Sequence, residues 1–417
     1  MVKDWLNTAI VGTGRQYFDG HEAVFKCGKP FAPIAIVDLD VERAEKAKET
    51  LMKTLKNEEG DWAEVALQEL KVYESYDEML EDKSSSLDFI DVITHTAEHI
   101  PLAIKALQRD ISVQVEKPPG LNFLETGMLA KTAEKSKGFF QLAEHICFER
   151  KTLTMKKAMD SGRIGVPTYL EVNFGHNGPY WPYVVSEKTG LPFFIDPELG
   201  GGGCLQDLGP HGISQGFWLL PDSIEIEYCE TKILERRRRD RTMSGRSVDN
   251  PVDDYAMAEF QGIDNATGVK FSMKATTSWC GHPGGEPVIL RGSEGALKIG
   301  RTWLLKRKVP MFINSNGKRR KLRVIKDKYH KWHSKIRETT MFADNILQKK
   351  PSICGPEYAH KLQQVISLHY FSKMKGGRSS LKDMEEWGAQ ILEEKNGDWQ
   401  KASHHIAKTF AKSVDIK

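Results

Sequence analysis

Asp207 and His211 stand four residues apart in the run Gly200-Gly201-Gly202-Gly203-Cys204-Leu205-Gln206-Asp207-Leu208-Gly209-Pro210-His211. On a helix that spacing puts both side chains on one face. A carboxylate beside an imidazole fixes its tautomer and raises its basicity, which suits a proton shuttle. The plainer alternative has Asp207 capping the helix while His211 packs. The four glycines read as a flexible approach to the helix start, with Pro210 in its first turn. Lys117 is a second reactive candidate. It follows the apolar run Ile111 to Val115 within Glu116-Lys117-Pro118-Pro119-Gly120. In an open parallel sheet ligands bind beyond the carboxyl ends of the strands, so a cation there has chemical use.

These groups need a frame. The short run Asn7 to Val11 ends in Gly12-Thr13-Gly14-Arg15, and a helix is expected from His21 to Cys27. A second strand, Pro33 to Val37, ends at Asp38, and Val41 to Lys56 reads as a helix. This is a βαβ unit with glycines in the first turn. Those glycines let a pyrophosphate approach the backbone, and the helix start offers N–H groups and a positive dipole end. Asp38 can accept from adenosine ribose hydroxyls. The third glycine of the usual spacing is replaced by Tyr17, and Gly20 comes three residues late. The cofactor read from Asp38 and Asp40 is NAD rather than NADP, because a 2′-phosphate would meet two carboxylates. No Lys or Arg follows Asp38 until Arg43. Leu87 to Thr94 and Ile111 to Val115 continue the strands, with a helix at Ile100 to Arg109 between them.

After Leu142 strands follow one another with few helices: Thr168 to Phe174, Ser223 to Leu234, Tyr255 to Phe260, Val269 to Thr277 and Ala296 to Ile299. The fold class is therefore α/β, an N-terminal Rossmann domain plus a C-terminal α+β domain with a large, mainly antiparallel open sheet. The expected domains are 1–144 for the dinucleotide, 145–384 for substrate and oligomer contacts, and a helical extension over 385–417. Gly175-His176-Asn177-Gly178-Pro179-Tyr180-Trp181-Pro182-Tyr183 leaves a strand ahead of the glycine run. Its aromatic rings suit the C–H faces of a sugar, and His176 and Asn177 can bond hydroxyls. Alternatively the loop packs its own aromatics. Trp279 and His282 are weaker candidates.

With 417 residues, 40% apolar and 28% charged, the chain has a globular balance. A net charge of +3 does not point to nucleic acid. No stretch suits a bilayer span, and a cytoplasmic protein is expected. The six cysteines form no CxxC pair, so no metal site is expected. Between Arg301 and Arg337 there are 14 Lys or Arg against one acid, Asp327. Such runs are usually solvated faces. Glu385, Glu386, Glu393 and Glu394 offer an acidic counterpart.

The chain resembles the glucose–fructose oxidoreductase, inositol dehydrogenase and rhizopine-catabolism family (Gfo/Idh/MocA) over roughly residues 5 to 380. The resemblance lies in Ala106-Leu107 followed by Val113-Gln114-Val115-Glu116-Lys117-Pro118, and in Asp207-Leu208-Gly209-Pro210-His211. Asp160-Ser161-Gly162-Arg163-Ile164-Gly165 and Gly292-Ser293-Glu294-Gly295-Ala296-Leu297 support it. It implies that Lys117 is the catalytic lysine, His211 the acid/base, and Asp207 its partner. It places Glu116 near the nicotinamide ribose. The family's usual Thr-Pro-Asn reads Thr94-His95-Thr96 here. The expected cofactor contacts are Gly12, Thr13, Gly14, Arg15, Asp38, Thr94, His95, Glu116 and Lys117. The expected substrate contacts are Lys117, His176, Tyr180, Trp181, Asp207 and His211. Three functions are open: a sugar or polyol dehydrogenase, a glycoside-cleaving enzyme using transient oxidation, and a dinucleotide-binding sensor. Keeping Lys117, Asp207 and His211 together argues against the sensor. A homodimer or homotetramer is expected, with no nucleic acid or membrane partner.

Overall fold

Leu6–Val11 (β1) and Phe31–Val37 (β2) are apolar at nearly every position and almost wholly buried. Such runs belong to strands covered on both faces. In the computed structural model, the residues described are 3–27, 30–178, 190–237, 240–243, 246–301, 308–329, 331 and 333–414. Among them β1 and β2 join Lys71–Tyr73 (β3), Phe89–Val92 (β4), Ser112–Glu116 (β5) and Phe140–Ala143 (β6) in one sheet, ordered β3-β2-β1-β4-β5-β6. Every pairing is parallel. The order reverses between β1 and β4. Loops leaving these two strands diverge there, which is where open α/β sheets bind ligands.

Two helices depart from expectation. The segment after the glycine turn is a π-helix, Tyr17–His21, followed by a single α turn, Glu22–Phe25. The helix expected from Ile100 starts at Thr96 and runs to Leu107, with His95 as its N-cap and Pro101 inside.

The chain does not divide into three consecutive blocks. The first unit comprises Met1–Gly120, Thr126–His145 and Trp332–His360; the second comprises Leu121–Glu125, Ile146–Lys331 and Lys361–Lys417. Burial explains the return of the late segment. On the helix Ser334–Leu347, Phe342 and Ala343 sit in the core with Leu6, Ile10, Phe31 and Phe89. The Phe342 ring meets Phe89 edge-on at 5.7 Å. The C-terminal residues are likewise no separate extension. Helices Leu381–Glu394 and Trp399–Ser413 lay Trp387 against Phe371 and Phe410, and Phe410 stacks on Tyr370. Residues 121–125 join the second unit because Asn122 donates to Ser403 and the Ser403 hydroxyl donates to Glu125.

The second unit is built on Pro167–Gly175 (β7), Ile224–Glu235 (β8), Tyr255–Asp264 (β11), Val269–Ser278 (β12), Val288–Gly292 (β13), Gly295–Arg301 (β14), Lys308–Asn314 (β15), Arg319–Lys321 (β16) and Ser379–Ser380 (β17). Asp240–Met243 (β9) and Arg246–Asp249 (β10) form a separate hairpin. The large sheet runs β16-β15-β14-β13-β7-β12-β11-β8-β17, and of its pairs only β7–β12 is parallel among the described residues. Along β12, Phe271, Met273 and Ala275 are buried while Lys270 and Ser272 are exposed. Glu225, Glu227, Glu259 and Gln261 join the exposed side. That face is charged, not apolar, so apolar burial gives it no reason to seek a partner. No helix of the described residues is long and apolar enough to cross a membrane.

The helix Cys204–Phe217 carries Asp207 and His211. Its glycine run is crowded rather than loose. A Cβ on Gly203 would lie 1.9 Å from the Asp253 carbonyl oxygen, and Gly201 has φ +81. Asp253 fixes the helix start: its carboxylate accepts from the N–H groups of Gly203 and Leu205 and from the Tyr370 hydroxyl at 2.7 Å. Pro210 lies in the helix interior, not its first turn. Gly209 before it has no Cβ to clash with the proline ring. Gly216 lets the helix rest on β7, since a Cβ there would lie 2.6 Å from Leu170.

Phe342→Ala should lower the unfolding free energy by about 3–5 kcal/mol in denaturant titration, the usual cost of truncating a fully buried phenylalanine. A loss under about 1 kcal/mol would show that the returning helix is not part of the first core.

Candidate functional site

The first unit supplies an edge suited to a dinucleotide. Gly12 has φ +90, and a Cβ there would sit 2.7 Å from the Ile93 carbonyl oxygen, so the turn after β1 requires glycine. At Gly14 a Cβ would meet nothing within 4 Å, which leaves the turn backbone open to a ligand. The Thr13 N–H and hydroxyl both donate to Asp38 at 2.7 Å. Arg43 clasps the same carboxylate through Nε at 3.1 Å and Nη2 at 2.6 Å. Burial opposes ionisation of Asp38, but Arg43 and the N–H groups of Asp40 and Thr13 outweigh it and hold the carboxyl below its ordinary range. Leu39 beside it is 84% exposed and Val41 43%, an apolar platform next to an acceptor. An open glycine turn, an ionised acid after β2 and an exposed apolar neighbour fit the pyrophosphate, ribose and adenine of a dinucleotide.

Arg43 was too far along the sequence to read as part of this corner. The turn into the helix Val41–Leu55 brings it back onto Asp38. Arg15 pairs with Asp19 at 2.9 Å.

The ends of β4 and β5 hold the remaining expected contacts. His95 stands at the N-cap position of the helix that follows Thr94, its side chain making no capping bond. His99, one turn on, is buried with Nδ1 2.8 Å from the Pro118 carbonyl and Nε2 3.1 Å from the Thr94 carbonyl. Burial pushes its pKa down to about 4 against the pull of those carbonyls, so the ring is neutral and has one N–H. Of the two carbonyls, that of Pro118 lies nearer the ring. The Lys117–Pro118 bond is cis. On the other side, the Lys117 N–H donates to Glu116 Oε2 at 2.9 Å. Lys117 is thus held from both flanks. Glu116 is buried, and its Oε1 accepts from Gln16 at 2.7 Å and faces His21 Nε2 at 3.0 Å. Sequence reasoning missed His99, Leu39 and His21.

In the second unit Asp207 Oδ2 accepts from the Trp279 indole at 3.0 Å. Trp279 is fully buried at the end of β12, so it fixes the carboxylate one helical turn ahead of His211. The His211 ring lies 5.2 Å from Phe174 of β7. His176 leaves the end of the same strand, its N–H on the Ser278 carbonyl at 3.0 Å. β7 and β12 therefore bring His176, Trp279, Asp207 and His211 to one end of the sheet. Tyr180 and Trp181 lie outside the described residues.

Residues 6–144 match the family described as an oxidoreductase family with an NAD-binding Rossmann fold, and residues 152–298 match the GFO/IDH/MocA C-terminal domain. The uncharacterized oxidoreductase YhhX of Escherichia coli (strain K12) is 32% identical over 171 residues, 41% of this chain and 45% of the relative. Glycosyl hydrolase family 109 protein 2 of Phocaeicola vulgatus is 26% identical over 156 residues, 37% of this chain and 35% of the relative. The chain thus spans less than half the length of either curated relative. Levoglucosan dehydrogenase, solved in complex with NADH and L-sorbose, is similar in fold with a TM-score of 0.70 at 15% identity, covering 91% of this chain and 99% of that one. With both of its domains matched, and with the glycine turn, Asp38 and the Glu116-Lys117-Pro118 corner in place, this chain belongs to the Gfo/Idh/MocA family of NAD-binding oxidoreductases.

Proposed function

We propose that the chain transfers a hydride between NAD and a hydroxyl-bearing carbon of a sugar, glycoside or cyclic polyol. The observation that carries this reading is the two-sided fixation of Lys117, by Glu116 through its N–H and by His99 through the adjoining Pro118 carbonyl. With the backbone on both sides of Lys117 fixed at a strand end, its side chain starts from a set point, which suits a cation meant to meet charge that develops during reaction. Gly12, Thr13, Gly14, Arg15, Asp38, Thr94, His95, Glu116 and Lys117 would hold the dinucleotide. When bound, NAD supplies the hydride acceptor.

The chain's own groups do the rest. A ring nitrogen of His211 takes the hydroxyl proton as the carbinol becomes a carbonyl. Asp207, oriented by Trp279, stabilises the resulting imidazolium. The Lys117 ammonium stabilises the developing alkoxide. Each effect lies within about 10²–10⁴-fold. His176, with Tyr180 and Trp181, would bind substrate hydroxyls and sugar faces. A homodimer or homotetramer belongs to the same reading, weakened by salt where the basic stretch from Arg301 to Arg337 and the acidic residues after Glu385 take part.

A second reading, glycoside cleavage through transient oxidation, is favoured by the likeness to a glycosyl hydrolase family 109 protein. A panel of sugars, polyols and glycosides assayed with NAD tests both. Reduced nicotinamide accumulating with product supports the dehydrogenase. Many turnovers of glycoside on substoichiometric NAD support cleavage. No turnover of any panel member would count against both.

Lys117→Ala and His211→Ala should each lower turnover by about two orders of magnitude or more, and His211→Ala should leave NAD binding largely intact; Asp207→Asn should be milder. Near-normal turnover in either alanine variant removes that residue from the mechanism. In calorimetry the wild type should bind NAD more tightly than NADP, because the Asp38 carboxylate repels a 2′-phosphate and occupies Arg43. Asp38→Ser should free Arg43 and shift the preference toward NADP. A wild type that prefers NADP, or a variant with no shift, contradicts this account of the corner.

A further inference from the structure

Tyr17 stands where the glycine spacing would place a third glycine, and it is fully buried. The chain absorbs the longer segment as the π-helix Tyr17–His21. One residue more or less rotates the following side chains by about 100°, and such turns recur at functional sites. Here the rotation drives His21 into the interior, where 1% of it is exposed.

Both ring nitrogens of His21 face carboxylate oxygens: Nδ1 lies 2.6 Å from Asp91 Oδ2 and Nε2 3.0 Å from Glu116 Oε1. A carboxylate oxygen on each side of the ring suits the imidazolium, whose two N–H groups can donate to both. The other groups around it are consistent with that charge. Gln114 of β5 donates to Asp91 Oδ1 at 3.0 Å. From the helix Ser334–Leu347, Lys335 places Nζ 3.9 Å from Glu116. Gly20 makes room for that lysine, since a Cβ there would lie 2.6 Å from its side chain. Burial and the Glu116, Glu144 and Asp91 carboxylates push the carboxyl of Glu338, on the same helix, well above its ordinary range. Glu22, next in sequence, pairs with Lys26. Lys117 adjoins Glu116. Burial alone would lower the His21 pKa, but Asp91 and Glu116 overcome it and push it up to about 9.

We propose that His21, as an imidazolium clamped between Asp91 and Glu116, is a positioning residue of the dinucleotide site: it fixes the Glu116 carboxylate whose other oxygen holds the Lys117 N–H. The proposal rests on the placement of Glu116 and Lys117 at the cofactor, not on the identity of the substrate. The clamp exists below the point where His21 deprotonates. Its contribution to stability is complete below the ordinary histidine value and is lost as pH rises through about 9.

The test is NADH affinity by fluorescence titration from about pH 6 to about pH 10 for the wild type, His21→Gln and Lys117→Ala. Glutamine keeps hydrogen-bonding capacity but carries no charge. The wild type should bind evenly to about pH 8 and weaken as pH passes about 9. His21→Gln should bind about tenfold more weakly at neutral pH and lack the alkaline step. Lys117→Ala should keep that step, which separates His21 from the lysine's own titration. Wild-type affinity in His21→Gln, or an alkaline step that survives in it, overturns the proposal. Should His21→Gln fail to fold, ring-nitrogen NMR of the wild type decides: two bonded N–H protons on His21 at about pH 8 support the clamp, and a neutral ring overturns it. No sugar enters either experiment, so a failed substrate assignment leaves this outcome readable.

Discussion

A carboxylate taken out of water must be matched by donors or cations close to it, and much of the first unit follows from that requirement. Asp38, Asp91, Glu116 and Glu144 are all buried, in or just beyond strands of the parallel sheet. Asp38 draws Arg43 out of the next helix and ties down the glycine turn through Thr13. Asp91 and Glu116 share His21, and Glu116 adds Gln16 and the Lys117 N–H. The returning helix Ser334–Leu347 brings Lys335 toward the same group and a hydrogen bond from Gln114 to Thr339. The acids that a ligand would meet are thus also the points at which distant parts of the chain are joined.

The second unit answers the same requirement with neutral donors. Asp253 lies in the interior under two backbone N–H groups, a tyrosine hydroxyl and the Cys204 thiol. Burial still raises its pKa above the ordinary value. The gain is geometric: the start of the helix that carries Asp207 and His211 cannot slide. Trp279 then sets Asp207 from the end of the neighbouring strand. Asp207 and His211 are positioned by two residues that lie 42 or more positions further along the chain.

Local patterns made part of this legible. The apolar runs of β1, β2, β4 and β5 mark buried parallel strands, and the acid after β2 marks where that strand ends. The alternation of Phe271, Met273 and Ala275 with lysines gives the two faces of β12. What escaped was set by long-range packing. Arg43 reaches Asp38 through the turn into its helix, and Trp279 meets Asp207 across 72 residues. The segment 334–347 looked basic from its lead-in, yet Phe342 belongs to the first core. The glycine run looked flexible because composition cannot reveal that Asp253 and Tyr370 press against it. Tyr17 signalled a departure from the glycine pattern, but its consequence, the inward turn of His21, depends on a π-helix that periodicity does not announce.

Isotope tracing tests the central claim most directly. A sugar or polyol substrate deuterated at the reacting carbinol carbon would be incubated with NAD, and the reduced dinucleotide analysed by mass spectrometry and proton NMR. Direct transfer between the carbinol carbon and the nicotinamide predicts one deuteron at C4 of the nicotinamide for each carbonyl formed. Carbonyl product whose deuterium is found in water, with none on the dinucleotide, would contradict hydride transfer by this chain.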